Sequence, residues 1–210
     1  MGQLALTNQL PLQAPELRTA PELAWQALLR QKLVEISGER AAARFSTAVA
    51  LVLNAQRAFE TVAWIQPEGG PLYPPDLHAS GVDLDALVVV HVPAAQRETQ
   101  ALKAAEILLR SGAYGLVVVD LTAGAPAGGG AAWQGRLLGL ARQHQSSVVL
   151  LTRKGPQADS LGALVSLRIE PRRTSKDMRS FQLEPHVLKN KMGLDLPPWQ
   201  LQRRGPWGIW

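Results

Sequence analysis

The 210-residue sequence predicts an α/β fold, a mostly parallel sheet flanked by helices with antiparallel strands at its C-terminal edge. Three observations predict it. Short apolar runs alternate with helix-like segments between residues 32 and 152, the pattern of consecutive βα units. Several of those runs, "ALVVVHV", "YGLVVVDL" and "SSVVLLT", are rich in valine and nearly continuous, as in strands covered on both faces. Beyond residue 153 the helical period disappears and only strand-like runs remain.

Each element has its own local reason. Residues 1–24 carry prolines at positions 11, 15 and 21, which bias their neighbours away from helix, so an extended arm is expected there. "KLVEI" (32–36) reads as the first strand and residues 44–59 as the first helix. "TVAWIQ" (61–66) is β-branched and aromatic enough for a second strand. The Pro- and Gly-rich stretch 67–83 reads as turns, and "ALVVVHV" (86–92) as a strand buried on both faces. In residues 94–112, Ala101, Ala105, Leu108 and Leu109 keep helical spacing, and Gly112 stands where a left-handed residue stops a helix. A strand at 114–121, a glycine-rich loop at 123–132, a helix at 133–145 and a strand at 146–152 complete the alternation. Residues 162–173, 180–191 and 198–204 then form a short antiparallel addition at one edge. The core is expected to span 25–204, with a tryptophan-rich tail at 205–210.

Composition narrows the functional classes. The sequence has no cysteine, which excludes disulfides and thiolate metal sites, and its four histidines are scattered, so no metal site is expected. The start lacks the basic and apolar regions of a leader, and no apolar run approaches the roughly 18 residues of a membrane span, so a cytoplasmic protein is expected. The formal net charge is +5, and residues 168–210 hold Arg168, Arg172, Arg173, Lys176, Arg179, Lys189, Lys191, Arg203 and Arg204. Such a distribution suits either a solvated basic face or a patch for an acidic partner or nucleic acid.

"KLVEISGERAAARFST" lays out a strand, a glycine, a polar stretch and a helix, the order of a phosphate-binding loop. In the pattern G-x-x-x-x-G-K-[ST], glycines let backbone N–H groups surround phosphates, lysine supplies a cation and the hydroxyl holds magnesium. Gly38 takes the first glycine position, but Ala43 stands at the second glycine, Arg44 at the lysine and Phe45 at the hydroxyl. A Cβ at 43 penalises positive φ, a planar guanidinium replaces a compact ammonium, and a phenyl ring cannot bind magnesium. These residues predict a degenerate nucleotide site and no catalytic residues. Ser46, one position on, is turned by about 100° around the helix.

The run "LVEISGERAAARFSTAVALVLNAQ" resembles the strand, phosphate loop and helix of the RecA recombinase family. "SGVDLDALVVVHV", "ALKAAEILLRSGAYGLVVVDLTAG", "LVSLRIEPRR" and "HVLKNKMGLDLPPWQLQ" are similar to later family segments, in the same order, so the resemblance covers most of residues 32–202. It implies a RecA-like P-loop NTPase core. It also implies that Glu68 stands where the family has its water-activating glutamate and Asp120 where it has a magnesium-associated aspartate. Lys189 and Lys191 match lysines that in the family reach a neighbouring subunit's nucleotide. The departures are the degenerate loop and Thr152-Arg153-Lys154 where an Asn-Gln pair is expected. The two loops matching the family's DNA-binding loops are short and poor in cations, with only Arg153 and Lys154 in the second.

A degenerate RecA-like core of this size resembles the ImuA group, related to the SulA division inhibitors. That resemblance implies a non-enzymatic adaptor without a cofactor in the SOS response to DNA damage, binding RecA and an ImuB-like accessory subunit of an error-prone polymerase in translesion synthesis. Contacts are expected at Lys189, Lys191, Arg203, Arg204, Trp199, Trp207 and Trp210, because tryptophan and arginine are enriched at interface hot spots. The same rings also suit a hydrophobic cap on the core. Alternatives are a residual ATP-binding switch or weak ATPase using Arg44, Glu68 and Asp120, a weak non-specific DNA binder, or a SulA-like division inhibitor.

Overall fold

A computed structural model of the chain describes residues 25, 27–39, 41–93, 95, 97–124, 130–175, 180–193, 196 and 201–204. The arm at 1–24, the tail at 205–210 and Trp199 lie outside these residues, as do Trp207 and Trp210.

The expected alternation is present. Strands β1 (Leu33–Ser37), β2 (Val62–Pro67), β3 (Leu87–Val92), β4 (Leu116–Asp120) and β5 (Ser147–Thr152) are followed by β6 (Leu167–Ser175), β7 (Ser180–Asn190) and β8 (Leu201–Arg204). Helices α1 (Ala41–Arg57), α2 (Pro74–Ala79), α3 (Arg97–Ser111) and α4 (Gly130–Gln143) connect the parallel part. All eight strands form one sheet in the order β3-β2-β4-β5-β1-β6-β7-β8. The pairs from β3 to β6 are parallel, whereas β6, β7 and β8 pair antiparallel. The antiparallel addition falls where expected, with β7, at 11 residues, its longest strand.

Side-chain alternation divides the core into two layers. Val34, Ile36, Trp64, Val118 and Val149 face α1, where Ala48, Leu51, Val52 and Ala55 supply the apolar stripe. Leu33, Ile65, Val117, Val119 and Leu150 face α3 and α4, packing on Ala105, Leu109, Leu137 and Ala141. β1, β4 and β5 are buried throughout, as parallel strands covered by helices on both sides must be.

Two expectations are corrected. β3 is not buried on both faces: it pairs only with β2 at the sheet edge, and Val88 and Val89 are 38% and 36% exposed. A valine run therefore marked a strand without marking a central one. The stretch 67–83 is not all turn, because Pro74 and Pro75 open the one-and-a-half-turn helix α2, where a missing N–H costs nothing.

Candidate functional site

The registers bring the carboxyl ends of three strands together, since Ser37 pairs with Thr152 and Asp120 with Leu151. In open α/β sheets this end forms the ligand crevice. Alternation then sends the terminal polar residues to opposite faces. Asp120, in phase with Val118, faces α1; Glu35 and Thr152, in phase with Leu33 and Leu150, face α4.

On the α1 face, Gly38 leaves β1 with φ 153°, a conformation open mainly to glycine. A Cβ there would lie 3.8 Å from Cγ of Arg44, so the arginine stem runs beside the glycine. Arg44 is 3% exposed, and its Nε and Nη1 have no hydrogen-bond partner among the described residues. Burial pushes its pKa down, the Asp120 carboxylate opposes that shift, and the Arg153 guanidinium adds to it. Asp120 accepts hydrogen bonds from the Thr122 amide at 2.9 Å and the Thr122 hydroxyl at 2.6 Å. Ala43 is buried in the core, and the Phe45 ring stacks on Trp64 with centroids 6.1 Å apart. The ring at the hydroxyl position thus packs against the apolar layer. Glu68 lies just past β2 with its side chain in solvent, while the buried Gln66 accepts from the Leu72 amide at 3.4 Å.

On the α4 face a carboxylate lies inside the central strand. Glu35 is fully buried and accepts from the Thr152 hydroxyl at 2.8 Å and the Leu161 amide at 2.9 Å. Its charge is met by Lys154 Nζ at 2.7 Å and, more distantly, by Arg168 Nε at 4.0 Å. Arg168, itself 3% exposed, donates to Ser37 Oγ at 2.9 Å, to the Gly155 carbonyl at 2.7 Å and to the Ala158 carbonyl. Lys189 donates to Ser160 Oγ at 3.2 Å and the Gly162 carbonyl at 2.7 Å, and Lys191 to the Ala163 carbonyl at 3.1 Å. From α4, Gln134 donates to the Leu161 carbonyl and accepts from the Leu164 amide. Residues 153–164 are consequently tied down from β1, β6, β7 and α4. Beside Lys189 this loop borders an open polar basin of about 490 Å³.

Burial and the neighbouring cations Lys191, Lys154 and Arg168 lower the Lys189 pKa, against a smaller opposing effect of Glu35. Between that lowered value and 10.5 the unfolded chain holds the proton more tightly than the folded one. Stability contributed by this group therefore rises with pH through that window. Lys189→Met is expected to flatten the alkaline rise in urea-unfolding free energy; an unchanged slope would exclude this linkage.

A model described as the RecA N-terminal domain matches residues 19–129, more than half of the chain. The chain belongs to this RecA family. Protein RecA of a Nocardioides species is 41% identical over 96 residues, covering 45% of this chain and 26% of that protein. Protein RecA of Saccharopolyspora erythraea is 38% identical over 96 residues, with 46% and 27% covered. Protein RecA of Corynebacterium jeikeium is 37% identical over 94 residues, with 45% and 24% covered. The chain spans about a quarter of the length of these RecA relatives.

Within this RecA-family core, the Arg44 stem lies beside Gly38 and its charge is within reach of Asp120, whereas Ala43 is part of the apolar layer. Phe45 points into the core and Glu68 into solvent. Lys189 and Lys191 lie on the other face, donating to their own chain. Arg203 and Arg204 lie on β8, opposite Phe181 and Ser180. Sequence reasoning missed Glu35. A lone carboxylate inside "LVEIS" was the available signal, because a charge in a central strand requires a buried partner. Among the described residues no group of three or more His, Cys, Asp or Glu is placed to hold a metal, and no helix is long and apolar enough to cross a membrane.

Proposed function

We propose that this RecA-family chain is a non-catalytic adaptor of the ImuA kind. It acts in the SOS response to DNA damage, binding RecA and the ImuB-like accessory subunit of an error-prone polymerase in support of translesion synthesis. The observation that carries this reading is Arg44: the residue is buried and its side-chain stem runs beside Gly38, where a phosphate loop needs open backbone N–H groups. With Phe45 stacked on Trp64, the magnesium-binding hydroxyl has no counterpart at that position. The α4 face supports the same reading. Lys154, Arg168, Lys189 and Lys191 are engaged by the carboxylate and carbonyls of their own chain, which leaves the 153–164 loop a poor electrostatic track for single strands. A RecA-shaped surface that holds no nucleotide is suited to occupying a RecA subunit interface and ending a filament.

Purified chain is expected to bind RecA without DNA and to show no saturable ATP signal in calorimetry at millimolar nucleotide. ATP turnover abolished by Arg44→Ala would replace the adaptor with a residual ATPase.

A further inference from the structure

On the α4 face, cations outnumber the carboxylate that they surround. Lys154 and Arg168 meet Glu35, whereas among the described residues neither Lys189 nor Lys191 lies within ion-pair distance of a carboxylate. Asp159 borders the same basin with its side chain in solvent. The β6–β7 register sets Arg168 directly opposite Lys189, and like charges in such a pair repel. The Lys189 nitrogen nevertheless has a defined seat. It donates to the Gly162 carbonyl at 2.7 Å and to Ser160 Oγ at 3.2 Å, and the Ser160 hydroxyl itself donates to Gly162 at 3.4 Å. Both partners of the nitrogen are acceptors, and a neutral amine has the two N–H groups needed to serve them. The remaining tetrahedral direction holds the third proton of an ammonium or the lone pair of an amine. It has no partner among the described residues, and the Lys189 side chain lines the open basin of about 490 Å³.

We infer that Lys189 is a carbamylation site, its side-chain nitrogen taking up carbon dioxide reversibly from solution. The lone pair attacks the carbon of CO2, one C–O π pair moves onto oxygen, and one N–H proton passes to water. An N–C bond forms, nothing is oxidised, and loss of CO2 reverses the step. A cation among cations thereby becomes an anion among cations. Against Lys154, Arg168 and Lys191, with Glu35 as the opposing carboxylate, the ammonium is the disfavoured form and the carbamate the favoured one. Burial and those cations, which lower the Lys189 pKa, also keep more of the amine in the neutral form that attacks. The N–H that remains after the step still has the Gly162 carbonyl as acceptor.

This inference stands apart from the adaptor reading, and its test uses no partner protein. Full-length chain is equilibrated with isotope-labelled bicarbonate at about pH 8, where CO2 persists and a lysine of lowered pKa is partly neutral. Triethyloxonium then traps carbamates as ethyl esters for peptide mass spectrometry. Lys189 is expected to be trapped at least about fivefold more than Lys103, an exposed helix lysine, and the difference to vanish in urea. In Lys191→Gln, trapping at Lys189 is expected to fall by about twofold or more, because one cation that opposes the ammonium and favours the carbamate is gone. Lys189→Gln keeps an amide donor for Gly162 and should lose the carbamate carbon resonance of the side chain while that of the α-amino group remains. Trapping at Lys189 no greater than at Lys103 would overturn the inference in the unaltered chain, whether or not the variants fold. A preference that survives unfolding, or one unchanged in Lys191→Gln, would overturn it as well, since the folded cluster of cations would then not be its cause.

Discussion

Glu35→Gln is expected to lower unfolding free energy by about 3–5 kcal/mol, and the melting temperature by about 10 °C. Glutamine keeps the shape, its oxygen can accept from the Leu161 amide, and the Thr152 hydroxyl can reverse to accept from its NH2, so the substitution mainly removes the charge. Without the carboxylate, Arg168 and Lys154 remain beside a fully buried position, their side chains 3% and 24% exposed. An uncompensated buried cation is costly, whereas removing a whole ionic group for apolar volume is often tolerated. A double variant, Glu35→Leu with Arg168→Met, should therefore recover part of the loss. Urea unfolding measures both, and a loss below about 1 kcal/mol in Glu35→Gln would show that the charge is dispensable. Amide exchange over residues 153–164 should quicken in the single variant, since Leu161 is bonded directly to the carboxylate.

Arg44→Met is expected to act in the opposite direction, raising stability by about 1–4 kcal/mol. Arg44 is as buried as Arg168, but its Nε and Nη1 lack partners among the described residues, and its attraction to Asp120 comes without a direct ion pair there. Methionine replaces the stem with apolar volume and removes the desolvated charge. Asp120 keeps its two bonds from Thr122 and is not stranded. Destabilisation by more than 1 kcal/mol would mean that the guanidinium is paired in solution, and the nucleotide crevice would then need a different account. The contrast between the two variants follows from hydrogen-bond satisfaction, since both change a charge buried at the carboxyl end of the same sheet.

Much of the fold was legible because its signals are local. Valine runs marked β4 and β5, Gly112 marked the end of α3, and the loss of helical spacing after residue 153 marked the antiparallel strands. The order Gly38, Arg44, Asp120 was enough to bring those residues to one crevice, because parallel βα units put every strand's carboxyl end on the same side. What was missed is non-local. β3 reads like β4 in sequence, yet one is an edge and the other central, and strand order depends on crossovers that no single run encodes. The bonds from Lys189 and Lys191 to carbonyls 27 and 28 residues earlier in their own chain were equally invisible, being set by the β1–β6–β7 pairing.

By itself the sequence determined the class of fold, its family and the residue types standing at the phosphate-loop positions, since periodicity and short-range order carry that information along the chain. Only the tertiary structure decided which charges are satisfied. Glu35 meets Lys154 and Arg168 across 119 and 133 positions, and Arg44 finds no such partner among the described residues. Burial and pairing are properties of what lies opposite a side chain, and what lies opposite is set by packing between elements far apart in sequence.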